Sequence, residues 1–509
     1  MTSMSRPRNV VIFHADQMRA DALGCAGNPA RCTPNIDALA AGGTRFTRHI
    51  AGNPVCMPSR ACFFTGLYCT GHGVWTNGVA LPRRQYTRID EQFEKWAGIR
   101  IVPEPPTMAD VFGAAGYDTA CFGKLHFTPS LAPLEYGYPE SKAMWEAGRN
   151  DGWNGPYYGF RHVELTQGHG EAPCELGHYA QWLQANHPEV VRAVAEGRKT
   201  AHRPVPGLDD LYASALPSDL HNSTWIGQRA CDYILRQRPA DRPFFLFCGF
   251  PDPHHAFTPS ADTLSKLGHL PVPEPGDPDG RGLEGHPGLA AQRPDRIANF
   301  TPEQRACIYR YTNAMVHQID CAVGLVMEAL RSAGLEEDTV VVFTSDHGDF
   351  LCDHGLLRKW VFATDCLLRV PFILRSPGLD LPKVIDRPMS NVDVLPTLCG
   401  LTGVTPPPYL HGRDAVAAHR SGQQYPVFAH ASTGWPQLVN LTCYDGRYRY
   451  TIFPNGGFAE LFDHATDPAE TRNLAREGGP SEAIRRLRDE IARAMLKTWN
   501  PIHGCVAAW

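Results

Sequence analysis

The sequence has no long apolar run and little net charge. Its 509 residues are 43% apolar and 20% charged, and 48 basic side chains nearly balance 53 acidic ones, giving a formal charge of −5. No stretch approaches the roughly 18 apolar residues that a membrane-spanning helix needs. Blocks of basic residues are also absent, which argues against nucleic acid or an anionic membrane surface as a partner. The composition indicates an ordinary globular protein of enzyme size.

A secretory signal and paired cysteine motifs are absent as well. The short apolar run Val10–Phe13 follows a polar lead, without the longer apolar core or the small-residue cleavage site of an export signal. We therefore expect a cytoplasmic protein whose thiols are mostly reduced. Its 16 cysteines include no C-x-x-C pair, so zinc and thioredoxin-type chemistry have little support. Most of them are typical of buried small apolar residues.

Short β-branched and aromatic runs alternate with helical patterns over most of the chain. Helical periodicity is clearest over Thr33–Gly42 and Glu303–Gly334. The alternation predicts an α/β fold with a large, doubly wound, mostly parallel sheet flanked by helices. Five apolar runs predict its buried parallel strands, namely Val10–Phe13, Thr119–Phe122, Phe244–Phe250, Thr339–Thr344 and Phe372–Leu374.

The pattern changes near residue 405, where a Thr-Pro-Pro-Pro stretch resembles a linker. An amphipathic helix is predicted over Ser481–Thr498. Before it, turns at Asp445-Gly446 and Asn455-Gly456-Gly457 separate four predicted antiparallel strands, Val427–Ala431, Gln437–Tyr444, Arg447–Phe453 and Ala459–Asp463. We therefore predict a catalytic α/β domain over residues 1–404 and a smaller α+β subdomain, an antiparallel sheet plus the terminal helix, over residues 405–509.

Polar side chains follow four of the predicted strands, at the edge where ligands bind in open α/β sheets. One such residue alone would be typical of a helix cap, but four sets together favour a metal-assisted site. By contrast, the neighbours of His221 indicate a helix start and a structural role. The four sets, in chain order, are Asp16-Gln17, then Lys124 and His126, then Asp252, His254 and His255, and finally Asp346-His347.

Two of these sets have the composition of a metal site. Asp16, Gln17, Asp346 and His347 offer three oxygens and one nitrogen. Oxygen-rich donors suit Mg²⁺, Ca²⁺ or Mn²⁺, and the imidazole tilts the balance toward Mn²⁺ without excluding Ca²⁺. The remaining lysine and histidines suit an anionic substrate and proton transfer.

The segment from Cys56 to Gly66 adds a candidate nucleophile. Pro58 and Ser59 are typical of a helix start, so free N–H groups and the helix dipole would point at Cys56. This position lowers the pKa of a thiol and attracts anions. A buried cysteine ahead of a helix cap is the commoner case, but the nearby Arg60 and the carboxylates favour a functional role.

These residues together resemble the sulfatase family of the alkaline phosphatase superfamily. The run Cys56-x-Pro58-Ser59-Arg60, followed by Thr65-Gly66, is similar to the sulfatase signature, in which the cysteine is oxidised to formylglycine. The resemblance extends over nearly the whole chain. It includes Asp16-Gln17, Gly123-Lys124-Leu125-His126, Asp252-Pro253-His254, Ser345-Asp346-His347-Gly348, Lys359 and the closing segment from Glu460 to Leu474.

The resemblance implies a sulfuric ester hydrolase that a formylglycine-generating enzyme matures. One divalent metal, Ca²⁺ or Mn²⁺, would be held by Asp16, Gln17, residue 56, Asp346 and His347. The catalytic residues would be Cys56 as the nucleophile, Arg60 and Lys124 beside it, Lys359 and His254 on the sulfate and leaving group, and His126 as the base that releases sulfate.

Two features point to particular branches of the family. The pairs Asp16-Gln17 and Asp346-His347 resemble the choline sulfatase and phosphonate monoester hydrolase branches, and Asn77 is similar to a substrate-contacting residue of the latter. However, phosphonate enzymes typically replace the residues that stand here as Lys124 and His126, which favours a small-molecule sulfate monoester as the substrate. His255 could take the role of His254 through a shift of one residue.

Three functions therefore stay open. The leading one is an arylsulfatase-like hydrolase. The second is a phosphonate monoester hydrolase or phosphodiesterase on the same scaffold, and the third is a catalytically inactive binding protein. Specificity is expected from two loops, Tyr136–Tyr179 and Pro271–Asn299, and the tail Ala507–Trp509 leaves a homo-oligomer open.

Overall fold

The structure is a computed structural model that describes residues 8–86, 104–290, 295–297, 299–432, 439–454 and 456–498. Within these ranges thirteen strands, β1–β13, cover Asn9–Ala15, Thr44–Ile50, Asp118–Gly123, His162–Leu165, Phe244–Gly249, Thr339–Ser345, Arg369–Val370, Phe372–Arg375, Val384–Ser390, Val427–Ala431, Asn440–Tyr444, Tyr448–Ile452 and Ala459–Asp463. The helices in these ranges, α1–α14, cover Pro34–Gly42, Cys56–Thr65, Cys69–His72, Met108–Ala114, Lys142–Glu146, His178–Asn186, Pro188–Thr200, Asn222–Asp232, Ala261–Leu267, Pro302–Ser332, Asp365–Leu368, Val394–Thr402, Ala415–Arg420 and Ser481–Thr498.

Nine strands form a mixed sheet with the order β4-β3-β5-β1-β6-β8-β2-β7, and β9 pairs with β2. The run from β4 to β6 is parallel throughout. Successive residues of β1 enter two different apolar clusters, with Val10 and Ile12 in one and Val11 and Phe13 in the other. Helices therefore cover both faces of the sheet, which confirms the predicted doubly wound α/β fold and explains the continuous apolar strands.

The prediction of parallel strands is wrong for the fifth apolar run. β8 lies antiparallel to both β6 and β2. Its side chains also divide between the two clusters, Phe372 and Leu374 on one side and Ile373 on the other. Burial on both faces determines the composition of such a strand, whereas its direction depends on the connection that precedes it.

The C-terminal strands form the expected antiparallel sheet, with the order β10-β11-β12-β13. Helix α14 packs on it through Leu487 and Ile491, which contact a cluster containing Tyr450 and Leu461. Gln437, Leu438 and Asn455 from the predicted strands and turns, and the tail 507–509, lie outside the described residues.

The boundary at residues 404 and 405 stays a prediction. Helix α13 follows that boundary, yet its Ala415 and Val416 belong to an apolar cluster of the large sheet. None of the helices in the described ranges is both long and apolar enough to cross a membrane. The fifteen cysteines in those ranges form no disulfide, and most are buried.

A buried ion cluster fixes the small sheet to the rest of the chain. The Arg449 guanidinium donates to Glu460 at 2.9 Å and to Glu470 at 3.0 Å, and all three side chains are about 98% buried or more. The same Glu470 carboxylate accepts the backbone N–H of Asp365, at the start of α11, at 3.0 Å. Removal of the arginine would leave two buried carboxylates without their guanidinium, with His464 and the backbone N–H of Asp365 still bonded to Glu470.

Replacement of Arg449 by methionine is therefore expected to lower the free energy of unfolding by about 3–5 kcal/mol. Arg447→Met is the matched control, because Arg447 lies two residues away and its side chain, which pairs with Asp463, is about 58% exposed. Surface pairs contribute little, so the control should unfold like the parent protein. Urea unfolding of the three proteins measures the difference, and equal losses in both variants would contradict the role of the buried cluster.

Candidate active site

The residues that follow β1 and β6 meet beneath the first turn of α2. Ligand atoms of Asp16, Cys56, Asp346 and His347 all lie within 4.8 Å of one another, and all four side chains are buried. The Cys56 Sγ is 3.2 Å from His347 Nε2 and 3.7 Å from Asp16 Oδ1. The structure thus brings together four of the five side chains that the sequence suggested as metal ligands.

The chemistry of this donor set fits a divalent cation. His347 Nδ1 lies 2.9 Å from the carbonyl oxygen of Gly348 and donates its proton there, so the Nε2 lone pair faces Cys56 and Asp16. This is the tautomer that a metal-ligating histidine adopts. Two carboxylates and one imidazole in a buried cluster are donors that Mn²⁺ and Ca²⁺ accept.

Gln17, the fifth suggested ligand, lies beside this cluster. Its backbone N–H donates to Asp346 at 3.0 Å. Its side-chain Nε2 donates to Asp349 at 2.5 Å and to His255 Nδ1 at 3.1 Å. Because both neighbours accept from the amide nitrogen, the amide oxygen points the other way, toward the cluster. There it accepts a hydrogen bond from Lys359 Nζ at 2.8 Å.

Arg60 binds the two carboxylates of the cluster. Its guanidinium is fully buried and donates to Asp346 at 2.9 Å, to Asp16 at 3.2 Å and to the Lys124 carbonyl at 3.0 Å. The Lys124 ammonium donates to Asp16 as well. Burial alone would raise the pKa of Asp16, but the charges of Lys124 and Arg60 hold that pKa well below its usual range.

Lys359 connects the nucleophile to a histidine. Its Nζ lies 3.0 Å from Cys56 Sγ and 2.7 Å from His254 Nε2. Because an ammonium only donates, His254 Nε2 accepts here, and its proton lies on Nδ1, which faces the His255 carbonyl. Burial and the ammonium of Lys359 lower the pKa of His254 well below its usual value. The neighbouring His255 contacts the side-chain amide of Gln17.

The Cys56 thiol lies in a cationic environment. Burial and the Asp16 carboxylate favour the neutral thiol, but the ammonium groups of Lys359 and Lys124 outweigh them and hold the thiol pKa well below its usual range. A group with negative charge is therefore stabilised at residue 56.

Two further predicted residues are placed less directly. The Asn77 side-chain oxygen accepts the backbone N–H of Met57 at 3.0 Å and so fixes the start of α2. His126 has a backbone N–H bonded to Glu140, and its buried Nδ1 has no partner. Within the described chain no hydrogen bond joins His126 to Cys56. His221 caps α8, as expected, by accepting the backbone N–H of Ser223.

A cavity of about 420 Å³ opens above Cys56. Trp360, about 39% exposed, forms part of its wall. Trp145, Tyr157 and Tyr158 of the loop 136–179 are buried and are not among the residues that line the cavity. The other walls include Asn77, His169, His254, His255, Arg358 and Lys359.

The family model for sulfatases matches residues 8–404, more than three quarters of the chain. The chain belongs to the sulfatase family. It is 28% identical to the uncharacterized sulfatase YidJ of Escherichia coli, over 98% of this chain and 89% of that protein. It is 27% identical to an arylsulfatase of Clostridium perfringens, over 96% of this chain and 94% of that protein.

A solved structure shares the fold of this sulfatase-family chain. The phosphonate monoester hydrolase of Agrobacterium radiobacter superimposes with a TM-score of 0.75 at 24% identity, over 96% of each chain. The match covers nearly the whole of both chains and shows that the two share a fold.

The sequence assigned no role to two side chains of this site. Asp349 orients the Gln17 amide, and burial raises the pKa of its carboxyl to about 6. His169 contacts both Lys124 and His254. Its only sequence signal is the pair of glycines that flank it, which indicates a tight turn but no chemistry.

Proposed function

We propose that this protein hydrolyses sulfate monoesters, with residue 56 as the nucleophile after conversion of Cys56 to formylglycine by a formylglycine-generating enzyme. The observation that carries the proposal is the position of Cys56 Sγ, 3.0 Å from an ammonium and 3.2 Å from an imidazole lone pair. As an aldehyde hydrate, residue 56 would supply a hydroxyl nucleophile at this point, with a second hydroxyl through which the sulfate is later released.

One divalent cation, Mn²⁺ or Ca²⁺, is assigned to Asp16, Gln17, Asp346, His347 and residue 56. It would supply positive charge for the sulfate oxygens and lower the pKa of the attacking hydroxyl. The tautomer of His347 and the orientation of the Gln17 amide support this assignment.

Lys124 and Lys359 would bind the anionic ester, since both ammonium groups lie next to the donor set. Lys359 donates to His254 Nε2, so the pair holds a proton beside the cavity for the departing alcohol oxygen. His126, with its free Nδ1, is the candidate base for release of sulfate, and Asn77 is a candidate substrate contact. Arg60 would act through the two carboxylates that it binds.

Phosphonate monoester hydrolysis is the second candidate function. The fold similarity to a phosphonate monoester hydrolase and the Gln17 and His347 donors favour it. Retention of Lys124, in contact with Asp16, favours the sulfatase. We assign the protein to the cytoplasm, where its free thiols would persist.

A direct comparison of an aryl sulfate with an aryl phosphonate monoester tests the proposal. We expect kcat/KM to be at least about tenfold higher for the sulfate, a difference of about 1.4 kcal/mol in transition-state binding. The Mn²⁺-loaded enzyme with its aldehyde verified by mass spectrometry is the sample. A faster reaction with the phosphonate would assign the second function, and no reaction with either would indicate an inactive protein.

A further inference from the structure

His169 lies on a turn that the sequence shapes for close approach to the active site. The flanking Gly168 and Gly170 have φ values of 79° and 59°, which strain residues with a Cβ. A Cβ on Gly170 would come within 3.0 Å of both Ala256 and Thr258, which follow β5. The turn therefore packs against the segment that carries His254.

His169 touches two groups that the proposed function uses. Its Nε2 meets the Lys124 ammonium, and its ring lies parallel to that of His254, with 3.5 Å between centroids and 10° between planes. The same Nε2 lies 3.9 Å from Asp16 Oδ2. Because an ammonium only donates, His169 must present a lone pair at Nε2.

The contacts of Lys124 show what the lone pair of His169 does. The ammonium has three N–H donors, of which Asp16 takes one and His169 a second. Among the described residues no other side chain binds the third, so it stays available to an anion bound beside Cys56. Without the imidazole, the ammonium could rotate about its one remaining contact.

We propose that His169 is a positioning residue of the reaction, which aims the Lys124 ammonium by accepting one of its protons and holds the ring of His254 by stacking. This inference rests on the proposed function, because it assigns His169 to the same ester-binding site. In this role His169 contributes a lone pair on a neutral ring and transfers no proton.

Three substitutions distinguish the two roles of the His169 side chain, hydrogen-bond acceptor for Lys124 and stacking partner for His254. His169→Ala removes both, His169→Gln restores an acceptor without the ring, and His169→Phe keeps a ring without an acceptor. We expect His169→Ala and His169→Phe to lower kcat by about 10- to 100-fold, with KM changed by less than about threefold, and His169→Gln to recover most of the loss. His269→Ala, at an exposed histidine, is the control and should match the parent enzyme.

The outcomes are distinct from those of the proposed function. Kinetics are measured with whichever ester the parent enzyme hydrolyses, sulfate or phosphonate. Parent-like kcat in His169→Phe, or a rise in KM alone, would overturn the acceptor role. A crystal structure of His169→Ala gives a readout that needs no turnover. We expect the Lys124 Nζ to keep its contact with Asp16 but to move from its parent position beside residue 169, and an unmoved Lys124 would overturn the inference.

Discussion

Replacement of Cys56 by alanine should abolish hydrolysis, lowering kcat by at least about 10⁴-fold, because it removes the nucleophile itself. The donor atoms of Asp16, Asp346 and His347 remain in place around residue 56. Metal content should therefore fall little, and elemental analysis of the purified variant would measure it. Retained turnover in this variant would refute residue 56 as the nucleophile.

Cys62→Ala is the matched control for that variant. Cys62 lies on the same helix α2 and is equally buried, but it belongs to a different cluster, with Cys69 and His72. His72 Nδ1 accepts the backbone N–H of Val74 at 3.0 Å, so its Nε2 carries a proton and donates to Cys62 Sγ. This cluster lacks the free imidazole lone pair that His347 offers. The control should keep its activity.

Metal removal should produce the second large effect. A chelator is expected to lower activity by about 10³-fold or more, since the buried carboxylates and the nucleophile would lose their shared cation. Addition of Mn²⁺ should restore activity more fully than addition of Ca²⁺, because the donor set contains an imidazole. Assays with titrated metal would measure the recovery, and full activity of a metal-free sample would contradict the assignment.

The variant His347→Asn sharpens this prediction. It replaces an imidazole nitrogen that lies 3.2 Å from Cys56 Sγ with an amide oxygen. Oxygen donors suit Ca²⁺, so the preference between the two ions should move toward Ca²⁺. An unchanged preference would show that His347 does not bind the metal.

The polar ends of the strands were predictable because an apolar run followed by Asp or Lys marks the carboxyl end of a buried strand. Asp16, Lys124 and Asp346 follow the parallel strands β1, β3 and β6 of one sheet and meet as that reasoning requires. The direction of β8 was not predictable, because burial on both faces gives parallel and antiparallel strands the same composition.

Contacts between residues far apart in the chain could not be predicted from the sequence either. His169 lies 45 residues from Lys124 and 85 from His254, and only the packing of its turn brings the three together. The fully buried Arg60 was predicted to steady the nucleophile, yet it donates to Asp16 and Asp346. Residue type indicated its charge, but its partners depend on how α2 meets β1 and β6.

The most direct test of the account is mass spectrometry of the peptide that contains residue 56, taken from active enzyme before and after treatment with an aldehyde-reactive hydrazide. The account predicts an aldehyde at residue 56, and a loss of sulfate ester hydrolysis in proportion to the fraction labelled. Full activity in protein whose residue 56 is entirely unmodified cysteine would contradict it.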